Sequence, residues 1–430
     1  DMVIRDWSSD VCSSDLWRFK AGVGYSSVSV ANGKAYVMGN FERAGTRGVD
    51  FVHCLDVKTG TTIWTHKYEC MTSKSDDQAA YSGPRSTPVI DADRVYTVSL
   101  EGQVFCLDAN TGKVRWHQQL NKYAFGDLSG LIYGYCSTPL IHEDKVFIMV
   151  NGALVAFDKM NGKVIWRCKG GRPLWNGSSP VIATLAGKTC VVFGEGVWVG
   201  ADANTGDILW EHNLGRTAIN TPVISGNRIF YSVYPNRGAC GVFEVGADGK
   251  TKPVWGNREI QNYHTGNPAL LDGYLYGVCN ARTEYLLTDD KVSVLKCLDF
   301  NTGKKMWEVK GMGIANVLIA DGKLLIHRED GELVLAEARP DMYKEIGRWA
   351  LPKNVFWAFP ALSDGLLYCR DNDGNVYCLR VGPMKADDGS DASQPKNEPK
   401  AEPDGGANII RDSEPLAAAM SGASVGVDGQ

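Results

Sequence analysis

Five segments of this chain share one register: CLDVKTGTTIW from Cys54, CLDANTGKVRW from Cys106, AFDKMNGKVIW from Ala156, GADANTGDILW from Gly200 and CLDFNTGKKMW from Cys297. Two degenerate copies with longer turns end at Trp255 and Trp349, so tryptophan recurs at 64, 116, 166, 210, 255, 307 and 349. Upstream of each copy an extended apolar run enters a turn and then an aromatic strand, as in STPVIDADRVYTV, STPLIHEDKVFIM and NTPVISGNRIFYS. The first unit reads SSVSVANGKAYVM from Ser26. Each unit of about 40 to 55 residues thus holds four short strands with period-two patterning, which is the sequence form of a propeller blade. No helical pattern alternates with the strands, so a parallel α/β fold is excluded.

Eight upstream signals stand against seven tryptophan copies, and the mismatch is informative. The last unit ends at CLRVG from Cys378 without a tryptophan strand, while WRFK at Trp17 is an orphan strand near the start. The two ends are therefore read as sharing the eighth blade. The expected fold is all-β: an eight-bladed propeller of four-stranded antiparallel blades over 17–384, closed by the N-terminal strand so that no sheet edge stays open at the junction.

The turn chemistry is legible. In Asp-x-x-Thr-Gly the Asp side chain accepts bonds from turn amides, and Gly60, Gly112, Gly162, Gly206 and Gly303 stand where a positive φ is needed. Each tryptophan, four residues on, is expected to pack over the small residue that opens its motif. Trp17, Trp64, Trp116, Trp166, Trp210, Trp255, Trp307 and Trp349 are accordingly read as structural. Cys54, Cys106, Cys297 and Cys378 fill the small-residue position where other blades carry Ala156 and Gly200, so packing explains them. The other cysteines are odd in number and give no disulfide map. Neither they nor the seven histidines show metal-ligand spacing, so no metal site is expected.

Both ends are set apart from the fold. Asp6 to Leu16, DWSSDVCSSDL, resembles a translated sequencing-library adapter, so 1–16 is excluded. Residues 385–430 are rich in Asp, Glu, Pro, Ser and Gly and read as a disordered tail. That tail carries nine acidic and four basic residues, which accounts for the whole formal charge of −5 and leaves the body neutral. A neutral body lacks the electrostatic footprint for nucleic acid, and no apolar run is long enough for a membrane-spanning helix. A monomer is expected.

The repeat resembles that of pyrroloquinoline-quinone (PQQ) repeat propellers, a superfamily spanning quinoprotein alcohol dehydrogenases and the outer-membrane assembly lipoprotein. The likeness covers roughly Trp17 to Gly382, and GVGYSSVSV, GELVLAEA and DGLLYCRDNDGNVYCL look closest to an exported bacterial branch. It implies a periplasmic or exported location. The enzyme branch that the repeat resembles uses an adjacent Cys-Cys pair, a Ca²⁺ and an Asp base, and some relatives add a Cys-x-x-Cys-His haem site, although soluble sugar-oxidising quinoproteins need neither cysteine feature. This sequence has no adjacent Cys pair and no such haem motif.

Loops before the innermost strands and between second and third strands share one propeller face, around the channel mouth where the superfamily binds ligands. Those loops offer Arg85, Tyr135, Asn176, Asn220, His264, Asn267, Arg328, Trp357 and Arg370 as ligand-binding candidates, with Tyr25, Glu195, Arg237, Arg282 and Glu329 beside them. The arginines suit a carboxylate-bearing ligand or an acidic peptide. No residue is singled out as catalytic and no cofactor is assigned. The first reading is a non-catalytic scaffold binding a protein or small ligand on this face in the cell envelope. The second is a PQQ- and Ca²⁺-dependent dehydrogenase of alcohols or sugars, with Arg328 or His264 among its contacts.

Overall fold

The computed structural model describes residues 15–381 apart from 74–81, 126–127, 129–130, 132, 171–177, 216–217, 219, 234–239, 260–266 and 281–292. Residues 1–14 of the excluded start and the acidic tail lie outside the described residues, while Asp15 and Leu16, set apart with that start, belong to a strand of the propeller. Eight four-stranded antiparallel sheets form the blades of one propeller. Blade 1 sets the pattern, with an innermost strand Ser29–Ala31, a second Lys34–Ala44, a third Arg47–Asp56 and an outermost Thr62–Met71. Blade 8 takes its outermost strand from the chain start: Asp15–Lys20 pairs with Asn375–Arg380, Trp17 opposite Cys378. The pairing begins at Asp15, two residues earlier than the expected boundary.

The tryptophan repeat does two jobs, of which the sequence showed one. Within a blade, Trp64 faces Cys54, Trp116 faces Cys106, Trp166 faces Ala156, Trp210 faces Gly200 and Trp307 faces Cys297. A methyl group on Gly200 would lie 2.1 Å from the Trp210 indole nitrogen, which is why that position is small. Between blades, the ring also lies on the turn glycine of the next blade. A Cβ on Gly60, Gly112, Gly162, Gly206 or Gly303 would meet Trp17, Trp64, Trp116, Trp166 or Trp255 at 2.5–2.7 Å. Indole N–H groups reinforce the contact, Trp64 donating to Ala109 O at 3.1 Å and Trp116 to Lys159 O at 3.0 Å. Each of the five regular turns is thus a seat for the preceding blade's tryptophan.

Trp349 departs from the expected repeat position. It faces Leu333, while Gly347 takes the place opposite Leu335, and the ring rests against that same Gly347. The reason is topological: blade 8 has no turn between its third and outermost strands, because the latter comes from the other end of the chain. A tryptophan at the regular position would find no glycine seat there.

On the face opposite the mouth, basic residues that open second strands reach the next blade's turn asparagine. Lys34 Nζ donates to Asn110 Oδ1 at 2.6 Å, Lys145 to Asn204 at 3.3 Å and Arg228 to Asn301 at 2.8 Å, tying blades 1–2, 3–4 and 5–6. The tight hairpins on this face place Asn32, Ala92, Glu143, Ala186, Asp272, Asp321 and Asp364 at φ between 48° and 53°. Asn and Asp tolerate that region; Ala92 and Ala186 occupy it against their preference.

Candidate functional site

The mouth is built on the segments that enter the innermost strands. Their recurring Ser/Asn-Thr/Ser-Pro triplets form a belt that sequence reading registered only as strand signals. Ser27 N–H donates to Thr87 Oγ1 at 3.1 Å, Thr87 N–H to Thr138 Oγ1 at 3.3 Å, and Thr138 N–H to Ser179 Oγ at 3.1 Å. Thr221 N–H continues the scheme to Asn267 Oδ1 at 3.0 Å. Innermost strands stand apart at the axis and cannot form a continuous ladder, so one side-chain acceptor per blade satisfies an otherwise unpaired amide. The recurrence of Thr, Ser or Asn before Pro was the available signal.

Several predicted contact residues are spent on the scaffold. Arg370 is 1 % exposed and donates to Ser26 O at 2.7 Å and Gly22 O at 2.8 Å. Burial pulls its guanidinium down to about 10, still well above neutral pH. Arg328 donates to Gly311 O at 2.6 Å and is flanked by Asp330 at 2.9 Å and Glu332 at 3.2 Å. Tyr135 is buried with its ring over Gly102 and its hydroxyl on Asn121 Oδ1 at 2.9 Å. Asn220 is turned inward, accepting from Ser232 N–H at 3.1 Å. Asn267 serves the belt. Asn176 and His264, with Arg237 and Arg282, lie outside the described residues.

The structure brings together a different subset. Trp357, entering blade 8, stacks on Tyr25, entering blade 1, with ring centroids 5.7 Å apart and 25° between planes. The Arg85 guanidinium, entering blade 2, lies 5.4 Å from the Tyr25 ring and 5.7 Å from that of Tyr133, entering blade 3. Arg85 also donates to Tyr133 O at 3.1 Å, and Trp357 Nε1 to Glu329 Oε2 at 3.3 Å. The result is a ladder of alternating aromatic and charged groups that crosses four consecutive blades. Below it, Leu120 and Leu131 of the long segment leading to blade 3 are buried against the core of blades 2 and 3.

The eleven cysteines among the described residues are thiols, all buried but Cys136, and burial pushes Cys54 and Cys190 up to about 11. Glu195 and Glu329 stand three blades apart, and no three His, Cys, Asp or Glu side chains gather as a metal-holding group. No helix among the described residues is long and apolar enough to cross a membrane.

Fold and mouth together define a PQQ-repeat β-propeller whose blades are joined by tryptophan seats on one face and by a polar belt at the mouth. A family model described as outer membrane protein assembly factor BamB matches residues 49–307, more than half of the chain, and the protein belongs to that family. BamB of Moranella endobia is 20% identical over 351 residues, covering 80% of this chain and 73% of that protein. Quinoprotein ethanol dehydrogenase of Pseudomonas aeruginosa is 35% identical over 183 residues, covering 40% of this chain and only 26% of the enzyme. Among solved structures, BamB from Moraxella catarrhalis superposes with TM-score 0.59 at 17% identity, covering 85% of this chain and 98% of that one. Quinohemoprotein alcohol dehydrogenase from Comamonas testosteroni gives 0.61 at 16%, covering 90% and 78%. Both structural likenesses speak to fold alone.

Proposed function

We propose that this protein is a non-catalytic scaffold of the bacterial cell envelope that docks a protein partner on its loop face. The ladder of Trp357, Tyr25, Arg85 and Tyr133 carries the reading. Aromatic rings and arginine are the groups that dominate binding energy in protein interfaces, because they bury much area with few rotatable bonds. The belt beneath holds their backbones in place, so little ordering cost accompanies binding. The likeness to BamB along most of both chains supports an envelope location and a protein partner.

A direct test cross-links the protein to an envelope fraction of its native host and compares Tyr25→Ala and Trp357→Ala with the parent. One cross-linked partner, reduced at least tenfold by either variant, is expected. Capture that is unchanged by both substitutions would refute the ladder as the docking surface. The second reading, a quinone-dependent dehydrogenase, is favoured by the local 35% identity to an ethanol dehydrogenase. Calcium-dependent, saturable binding of PQQ in a calorimetric titration would replace the scaffold reading with that one.

A further inference from the structure

Between blades 1 and 2 the shared apolar core turns polar at its mouth end. Asn40, Asp50 and Tyr68 are cross-strand neighbours on three successive strands of blade 1, so their side chains stand on one sheet face. Met38 and Val52 continue that face into the core packed against blade 2. Asn40 Nδ2 donates to Asp50 Oδ1 at 2.7 Å. The Tyr68 hydroxyl and the Cys70 thiol face the same carboxyl, while Asn40 Oδ1 and the hydroxyls of Thr72 and Ser73 are buried with no hydrogen-bond partner among the described residues. Thr72 joins the group through Gly48, which stands opposite Cys70: a Cβ there would lie 2.7 Å from Thr72 Cγ2 and 2.8 Å from Asn40 Oδ1. The glycine leaves these two side chains room to meet.

Buried, unpartnered oxygens of Asn40, Thr72 and Ser73 beside a buried carboxyl group call for an occupant. Asp50 is 1 % exposed, and no basic side chain reaches it among the described residues. The neighbouring acid, Glu101 of blade 2, is already engaged by Met71 N–H at 3.1 Å and Arg47 at 3.8 Å. One carboxylate with neutral amide and hydroxyl oxygens is hard-ligand chemistry, and one negative charge in a low-dielectric site balances one positive charge. We propose that Asn40, Asp50, Tyr68 and Thr72 form a binding site for a monovalent alkali-metal cation of the sodium class. A divalent ion would leave a net charge buried between the blades.

The site is joined to the mouth. Asn40 exchanges both backbone bonds with Val23, at 2.9 and 3.0 Å, and Thr72 O accepts from Gly83 N–H at 2.9 Å. Those segments lead directly to Tyr25 and Arg85. A bound ion therefore secures the roots of the aromatic ladder from below. Without an ion, burial drives the Asp50 carboxyl up to about 7 with Asn40, Tyr68, Cys70 and Glu101 facing it, so a proton is the competing occupant.

The test melts the full chain at pH 8 in choline chloride, replacing choline by sodium at constant ionic strength. The parent's midpoint should rise by about 3 °C for a hundredfold increase in sodium above the dissociation constant. Asp50→Asn should abolish the dependence, and Thr72→Val, which removes one oxygen at nearly constant volume, should weaken it even if the first variant fails to fold. Crystals grown in rubidium chloride should show an anomalous peak beside the Asp50 carboxyl. Equal midpoints in choline and sodium, with stability falling as pH rises through 7, would assign the site to a proton and overturn the proposal. A sodium dependence undiminished in Thr72→Val and Asp50→Asn would place the ion elsewhere and overturn it equally.

Discussion

Replacing Gly112 by alanine tests the tryptophan seat where its parts can be separated. Gly112 has φ +69°, and a Cβ there would lie 2.6 Å from Trp64 Cε3, about 1 Å inside ordinary carbon contact. The left-handed backbone alone costs a non-glycine residue about 1–2 kcal/mol. Displacing the ring from a packed interface adds about 1–3 kcal/mol, and losing the indole bond to Ala109 O adds about 1 kcal/mol. Gly33 supplies the control, with φ +71° and nothing within 4 Å of its would-be Cβ. Gly33→Ala should therefore cost only the backbone part, and Gly112→Ala about 2–4 kcal/mol more. If the ring melts as a unit, an unfolding entropy of ~2.1 cal/mol/K per residue converts 1 kcal/mol to roughly 1.3 °C. Scanning calorimetry should then place the Gly112→Ala midpoint about 3–5 °C below that of Gly33→Ala. Two variants melting within about 1 °C of each other would refute the seat as an energetic link between blades.

Three further outcomes follow from the same structure. Burial lowers His53, His66 and His327 to about 4 from an unfolded value near 6.5, so the unfolded chain binds more protons between those limits. Stability should be full above about pH 6.5 and decline as pH falls toward 4, and His327→Leu should flatten that decline in urea titrations; an unchanged slope would count against it. Arg370→Met leaves the Gly22 and Ser26 carbonyls without their donor and should cost about 2–4 kcal/mol in ligand-free protein, read from the urea midpoint. Parental stability would instead return Arg370 to the list of ligand contacts. Ala92→Gly removes left-handed strain at φ +51° and should gain about 0.5–1 kcal/mol after glycine's entropy, so a lower melting temperature would contradict the strain.

The repeat made the fold legible because every blade solves the same packing problem with the same residues. A turn glycine, a small residue and a tryptophan in fixed spacing leave few ways to arrange four strands. The orphan strand at Trp17 exposed even the closure of blade 8. What spacing cannot convey is the receiving side of a contact: Gly112 looks like a turn residue until Trp64 of another blade is seen lying on it. The mouth was harder for a related reason. An arginine in a loop reads the same whether it faces solvent or backbone carbonyls, and Arg370 turned inward while Arg85 stayed on the rim. Trp349 stands two residues from the regular pairing position, an offset that spacing along the chain does not reveal.

Closure of blade 8 also has a consequence for how the chain is made. Lys20 and Asn375, side by side in the finished blade, are separated by 355 positions in sequence. During synthesis the early strand waits without its partner, and the incomplete ring exposes two unpaired strand edges until the final segment arrives. Those edges are the templates most open to pairing with another copy. The slowest and most vulnerable moment in this protein's life should thus fall at the joining of Asp15–Lys20 to Asn375–Arg380, after seven blades are already built.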